Sequence, residues 1–549
     1  MTQILVVVES PSKALKIGGM LGDEFVVQAS GGHIRDLPED ENGYDADTLE
    51  PVYEVTSKGK ESVKFLKIRA KSCSSVLLAT DPDREGEAIA WHVAEVLGVK
   101  NRLRVKFHEI TDGAVLDAVM NPVPLDVGLV RAQEARRVID RLVGWMVSRP
   151  LSRAIGERAS AGRVQSPSLG LVVEREREIA AFVPEKFFGV SIAFPGGWHV
   201  EWVPPGEGQA KCKDRALADR VALVRSMVVS ECVDREEREA PPAPFDTAVM
   251  LQAASVALGF DPEKTMSIAQ KLFQGLEGGH GFITYHRTDE PNLSDDAFEM
   301  IRQHCGRQGL AVASCKRTWK AAAGAQEAHE AIRPTDFDAD LEGLMADERA
   351  LYWLIHRRAV ASQLEDAVYD VRRVKCRGDG FEFVAVGRSL KIPGWRGYGV
   401  AAEIEEEDGE RKVPGNPVPR LAVGQWIVGA TGEVVEGVTR APGRYTKASL
   451  VAQLKAQGIG RPSTYQAAVD GLTKRKYVTI KGRHLVPMPV GVKIYDALSG
   501  RFSFVRVDFT RVLEEDLDAI AVGRSSYGQV VRGVYDVLMR DLQAFGGGA

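Results

Sequence analysis

Cysteine is scarce. The six in 549 residues (Cys73, Cys212, Cys232, Cys305, Cys315 and Cys376) include no CxxC pair, which excludes a zinc ribbon and a disulfide framework and predicts a reducing compartment. No apolar run approaches the roughly 20 residues needed to cross a bilayer. The start MTQILVVVESPSK has neither the charged opening nor the cleavage site of a signal peptide. The expectation is a cytoplasmic protein with no membrane partner. No GxxxxGKS or GxxxxGKT occurs, which argues against ATP at a P-loop, so any work must be driven by the substrate. Internal repeats and low-complexity tracts are also missing. Nor is there an excess of positive charge: 71 Lys and Arg face 76 Asp and Glu, for a net charge of −5. Such a balance speaks against nucleic acid only if the charge is evenly spread.

It is not evenly spread. Residues 131–163 hold eight arginines against three acids, and residues 440–484 hold ten lysines and arginines against Asp470 alone. Both stretches are candidate tracks for phosphates. The chain is also too long for one hydrophobic core, and its 44% hydrophobic residues predict several domains of mixed α/β, α and β character.

The first 118 residues read as an α/β unit. ILVVVE is an apolar run ending in a carboxylate, followed by the capped helix start SPSKALKIGGML; the pattern recurs in SVLLATDPDREGEAIAWHVAEVL, and RVKFHEI predicts a further strand. A helical, arginine-rich unit is expected over 119–186 and again over 436–549, where SLVAQLKAQGIGRPSTYQAAVDGLTKRKYVTIKGRHLVPM has the helix, turn, helix, hairpin order of a winged helix. Alternating segments predict a β-rich unit over 187–243 and 366–435, with the acidic run EIEEEDGE (403–410) as a solvated turn. Between these lies a mainly helical insert, 244–365, as if mounted on an arch.

Two places carry candidate chemistry. In ATDPDREGE, Asp81, Asp83 and Glu85 alternate where a buried strand gives way to a helix; such close anions favour a hard cation, although a solvated acidic loop has the same composition. In GFITYHRTDEPNLS, Tyr285 has Arg287 two positions on, a pairing that suits a nucleophile needing its developing charge stabilised.

With these residues in view, the chain closely resembles the type IA DNA topoisomerases, specifically the catalytic core of the bacterial topoisomerase I branch. The resemblance runs in order through VVESPSKA, GGHIRDLP, ATDPDREGEAIAWH, FHEIT, RRVIDRLVGWMVSRPL, SAGRVQSPSLGLVVEREREI, GFITYHRTD, QEAHEAIRPTD, YTKASLVAQLKAQGIGRPSTY and FTRVLEEDLDAI. It implies a Toprim domain at the N-terminus and a β-rich arch that closes the molecule into a toroid. The chain ends soon after FTRVLEEDLDAI, so the resemblance implies a core without the zinc-ribbon tail that often follows.

By the same resemblance Tyr285 attacks a phosphodiester of single-stranded DNA to give a 5′-phosphotyrosine, and the enzyme passes a strand and religates, relaxing underwound DNA without ATP. Arg287 and Lys13 match residues that stabilise the phosphate's charge. Glu9 matches the acid beside the leaving oxygen and a metal ligand; Asp81, Asp83 and Glu85 match the carboxylates that hold Mg2+. Arg136, held by Asp140, together with Arg163, Gln165, His329 and Arg461, matches DNA-contacting positions, although Arg136 and Asp140 also suit a structural helix pair. A monomer is expected. His286 and Glu290 depart from the family pattern beside the tyrosine. Three competing readings share part of this set: a topoisomerase III-like decatenase or RNA topoisomerase, a Toprim primase or nuclease that has no need of Tyr285, and a catalytically silent DNA-binding protein.

Overall fold

The strand Ile4–Val8 is buried on both faces, Leu5 to Val8 being fully inaccessible. In the computed structural model, which describes residues 3–206, 211–276, 279–321, 330–399 and 415–546, it pairs in parallel with Phe25–Ala29 on one side and Ser75–Leu78 on the other. Leu103–Arg104 and the antiparallel Val123–Pro124 complete the sheet. Period-two alternation sends Leu5 and Val7 into one core and Val6 and Val8 into another, which explains the unbroken apolar run. Helices cover this sheet, among them Pro11–Met20, capped by Ser10, and Arg84–Leu97, capped by Asp83. Because the strands Ile4–Val8 and Ser75–Leu78 run side by side in the same direction, the turns after them emerge at one edge.

The expected strand RVKFHEI is shorter than its pattern predicts. Only Leu103 and Arg104 join the sheet. The reason lies further along the chain: the carbonyls of His108 and Ile110 accept hydrogen bonds from the backbone N–H groups of Tyr285 and Gly281, at 2.8 Å each. The segment leaves the sheet to receive the tyrosine loop.

The arginine-rich stretch forms the helices Val127–Ile155 and Gln165–Ala181. Against them pack the C-terminal helices Pro489–Leu498, Val507–Ala521 and Tyr527–Gly546. Lys447–Ala456, Tyr465–Lys474 and the hairpin Val478–Lys481/His484–Pro487 follow the winged-helix order.

The seven-stranded sheet runs Trp426–Val428, Ser226–Glu239, Ala367–Gly378, Phe381–Ile392, His199–Val203, Lys186–Ala193, Glu433–Val438. Its strands come from both sides of the helical insert. Ser226–Glu239 leads out to that insert and Ala367–Gly378 returns from it, paired antiparallel up to Glu239 opposite Ala367. The insert, with helices Thr247–Ala257, Pro262–Gln274, Asp295–Gln308 and Ala346–Ser362, then packs back on the C-terminal part of the chain through Lys447–Ala456 and Tyr465–Lys474. The sheet joins the two on one side and these contacts join them on the other, a toroidal path.

All six cysteines are free. Among the described residues no helix is long and apolar enough to cross a membrane. Residues 403–410, the acidic run, lie outside the described residues.

Candidate active site

Tyr285 is 2% exposed and lies at the seam between the helical insert and the N-terminal α/β unit. Its backbone is held by His108 and its ring packs edge-on against Phe273, with centroids 5.3 Å apart. Its hydroxyl donates to Oδ2 of Asp83 at 2.6 Å, a residue 202 positions away. Burial first, then the charges of Asp83 and Asp81, raise its pKa well above the ordinary phenol value, against the pull of Arg287. The tyrosine is therefore a neutral phenol whose proton already points at a carboxylate.

The carboxylates come from the two strand ends. Glu9 follows Ile4–Val8, and its Oε1 accepts from the backbone N–H of Asp81 at 2.9 Å. Burial, then the charges of Asp81 and Asp83, push Glu9 up to about 8, with Lys13 pulling the other way. Lys13 forms an ion pair with Asp81. Asp83 caps the helix Arg84–Leu97, its Oδ1 accepting from Gly86 N at 2.7 Å while Oδ2 faces Tyr285. Gly86 is required by close approach: a Cβ there would fall 2.1 Å from the carbonyl oxygen of Asp81. Glu85 stands 3.4 Å from His33 Nε2 and 3.7 Å from Arg287 Nη1. Its hydrogen bond with His33 outweighs its burial and, with the nearby charges of Arg287 and Arg136, holds its carboxyl low.

The donor set, all carboxylate oxygens, has the chemistry that suits a hard divalent cation. Among the described residues, however, no group of three or more His, Cys, Asp or Glu is gathered for a metal. Asp81 is taken by Lys13, Asp83 by Tyr285 and Glu85 by His33 and Arg287, so each acid has its own partner.

His286 and Glu290 turn away from the tyrosine hydroxyl's chemistry. The His286 ring is buried against Phe273 and Tyr285, and burial, then Arg287 and Lys13, drive its pKa well down, so it is neutral. Its carbonyl accepts from Thr247 Oγ1 at 2.8 Å. Glu290 caps its own loop, accepting from Asn292 N at 3.0 Å.

Beside this centre, arginines and acids form a second cluster. The expected pairing of Arg136 with Asp140 is not made. Arg136 instead donates through Nη2 to both oxygens of Glu514, at 3.0 and 3.2 Å, while Asp140 accepts from Arg163 Nε at 3.0 Å. The cause is burial: Glu514 is wholly inaccessible on the neighbouring helix Val507–Ala521 and needs cations, whereas Asp140 is partly exposed to water. Arg163 also bonds Glu514, and Arg461 Nε stands 3.9 Å from it. Arg461 Nη2 donates to Asp518 at 2.6 Å, and Arg84 pairs with the same acid. Burial alone would raise the Glu514 carboxyl, but Arg136, Arg163 and Arg461 outweigh it and hold it well below the ordinary range. Gln165, half-buried, opens the helix Gln165–Ala181. His329 lies outside the described residues.

Sequence reasoning thus missed Glu514, Asp518, Arg84 and His33. Each stands in a stretch the motifs cover (FTRVLEEDLDAI, ATDPDREGE, GGHIRDLP), but a lone charged or imidazole side chain reads as a solvated residue until its neighbours are known.

A family profile described as DNA topoisomerase matches residues 124–532, and the Toprim domain profile matches residues 4–110. The plasmid DNA topoisomerase I of Xylella fastidiosa (strain 9a5c) is 45% identical over 553 positions, covering 98% of this chain and 83% of the relative. DNA topoisomerase 1 of Campylobacter jejuni is 39% identical over 565 positions, covering 99% and 79%. The full-length topoisomerase I of Thermotoga maritima superposes with a TM-score of 0.86 at 36% identity, covering 98% of this chain and 90% of that one.

Proposed function

The chain belongs to the type IA DNA topoisomerases, enzymes that act on DNA without ATP, and on that premise we propose that Tyr285 is its nucleophile and relaxation of negatively supercoiled DNA its reaction. The observation that carries this reading is the 2.6 Å hydrogen bond from the Tyr285 hydroxyl to Asp83 across the seam between two parts of the chain.

The phenol oxygen attacks the phosphorus of one strand, the bond to the 3′-oxygen breaks, and a 5′-phosphotyrosine forms. Asp83 is within reach of the phenol's proton. Glu9, pushed up toward neutral pH, supplies a proton to the departing 3′-oxygen and takes it back on religation. Arg287 and Lys13 offset the negative charge that builds on the phosphate. The Toprim domain is a metal-binding domain, and we assign Mg2+ to Asp81, Asp83 and Glu85, with Glu9 as a further ligand; the ion would neutralise charge at the scissile phosphate. Since one ester is exchanged for another, the break stores the bond it needs for resealing.

Arg136, Arg163, Arg461 and Gln165 are assigned to the strand's phosphates, Asp140 to holding Arg163 among them, and His329 to the same surface by its motif. The domains run 1–118 (Toprim), 119–186 with 436–549 (strand-holding), 187–243 with 366–435 (arch) and 244–365 (tyrosine-bearing). Opening the seam at Tyr285 while both DNA ends stay held makes the gate for the passing strand. The enzyme is read as a cytoplasmic monomer.

Incubating negatively supercoiled plasmid with the protein and Mg2+, without ATP, tests this. A ladder of topoisomers from wild type and none from Tyr285→Phe supports it. Equal nicking by both proteins overturns the nucleophile and favours a Toprim nuclease.

A further inference from the structure

Glu514 stands out from the machinery described. It is a fully buried carboxylate from the helix Val507–Ala521, and arginines from three other segments converge on it: Arg136 from the helix Val127–Ile155, Arg163 from the turn before Gln165, and Arg461 from the turn before Tyr465. Through Asp518 the network reaches Arg84, next to Asp83 and Glu85. An acid at this spot is costly for a surface that grips DNA, because it cancels charge the phosphates would use.

An unmet buried N–H forfeits the hydrogen bond it made to water, so several idle donors gathered in one cluster call for an acceptor. Here three guanidinium nitrogens are buried without a partner: Nε of Arg84, Nε of Arg136 and Nη2 of Arg163. The acids Asp140, Glu514 and Asp518 fix these arginines by their other nitrogens and leave these three unused. Glu85 also lies in the field of Arg136, so net charge does not decide what meets these donors; three unmet N–H groups in one cluster suit the several acceptor oxygens of a backbone phosphate.

We propose that Glu514 is a positioning residue of strand cleavage: its carboxylate bonds Arg136 and Arg163, each of which keeps an unmet N–H, with Arg461 beside them, and so presents these donors to one backbone phosphate and sets the register of the strand relative to Tyr285. This rests on the topoisomerase reading. The carboxylate acts through the arginines and never touches the reacting atoms. Its negative charge weakens the grip on DNA, so its removal affects binding and cleavage in opposite directions.

The test is Glu514→Gln beside Glu514→Asp, with three readouts: Kd for a single-stranded oligonucleotide across a salt series, the rate of covalent complex formation at saturating protein, and thermal stability. For Glu514→Gln, binding is expected to hold or tighten, with a salt slope steeper by about 0.7, the value for one more neutralised phosphate on a single strand. Covalent complex formation should slow by about tenfold to a hundredfold, because the strand is held but misplaced. Glu514→Asp keeps the charge and should recover the wild-type salt slope and part of the rate. Cleavage by Glu514→Gln at the wild-type rate overturns the proposal, as does loss of binding and cleavage in step. If Glu514→Gln does not fold, Glu514→Asp decides: normal binding with slowed cleavage supports the proposal, and parallel loss overturns it. Tyr285→Phe, which should bind but form no covalent complex, separates the two claims: if wild type forms no complex either, the nucleophile reading fails first.

Discussion

Lys455 and Asp246 form an ion pair across the seam between the C-terminal helices and the tyrosine-bearing insert. Asp246 is buried and also caps the helix Thr247–Ala257, accepting from Val249 N at 3.0 Å, so its charge is committed twice. Lys447 stands 3.4 Å from Asp261 in the same interface. Cutting the cation while leaving the buried acid should weaken the closed gate: Lys455→Ala is expected to cost about 1 to 3 kcal/mol of closure. Hydrogen exchange in Thr247–Ala257 and Lys447–Ala456 should speed up accordingly. Exchange as slow as in wild type would mean that apolar packing, not this pair, holds the seam.

Tyr285 competes with any cation for Asp83. Its hydroxyl occupies Oδ2 of that carboxylate, and the bond must be given up before the oxygen can serve a metal. Tyr285→Phe removes the competitor, so Mg2+ binding in the absence of DNA should tighten, by up to about a hundredfold for a charge-assisted hydrogen bond. Calorimetric titration reads this directly. Unchanged affinity would take Asp83 out of the ligand set.

Much of this centre was legible from residue order. ILVVVE and SVLLATDPD announce two parallel strands whose ends must lie together, so the meeting of Glu9 with Asp81 follows from the α/β pattern alone. Tyr285 needed its motif, because nothing local ties residue 285 to residue 83. What the sequence could not reveal were pairings decided by burial. Arg136 and Asp140 sit one helical turn apart and look like partners, but the winning acid, Glu514, arrives from a helix 378 residues on. RVKFHEI has strand composition, yet its backbone is spent on the tyrosine loop, a choice made by tertiary contacts rather than propensity.

Asp289 gives the fold a pH dependence. Its Oδ1 is buried without a hydrogen-bond partner. Burial, with Asp246 and Asp518 adding to it and Lys455 and Arg461 opposing, pushes its carboxyl up to about 6. The folded chain thus holds this proton more tightly than the unfolded one. The stabilisation is full below about pH 4, the ordinary aspartate range, and is lost as pH rises through about 6. Asp289→Asn should therefore be more stable than wild type at pH 8, by up to about 3 kcal/mol, with the advantage shrinking at pH 5. Melting curves at the two pH values measure it; an advantage that does not change with pH would assign the effect to something other than this proton.

Arg163 is the inner member of the second cluster, 1% exposed, and it bonds both Asp140 and Glu514. Removing it strands Glu514, whose remaining direct hydrogen-bond donor in the cluster is Arg136. A broken buried pair typically costs about 3 to 5 kcal/mol, most of it from the charge left behind. Arg163→Ala should accordingly lower stability by about that much, whereas Arg163→Ala combined with Glu514→Gln should lose less than the two single changes added together, since the second change removes the stranded charge. The difference, read from denaturant titrations of all four proteins, is the coupling between the two residues. Simple additivity would show that Arg163 stabilises the fold through packing of its stem, independently of the acid it faces.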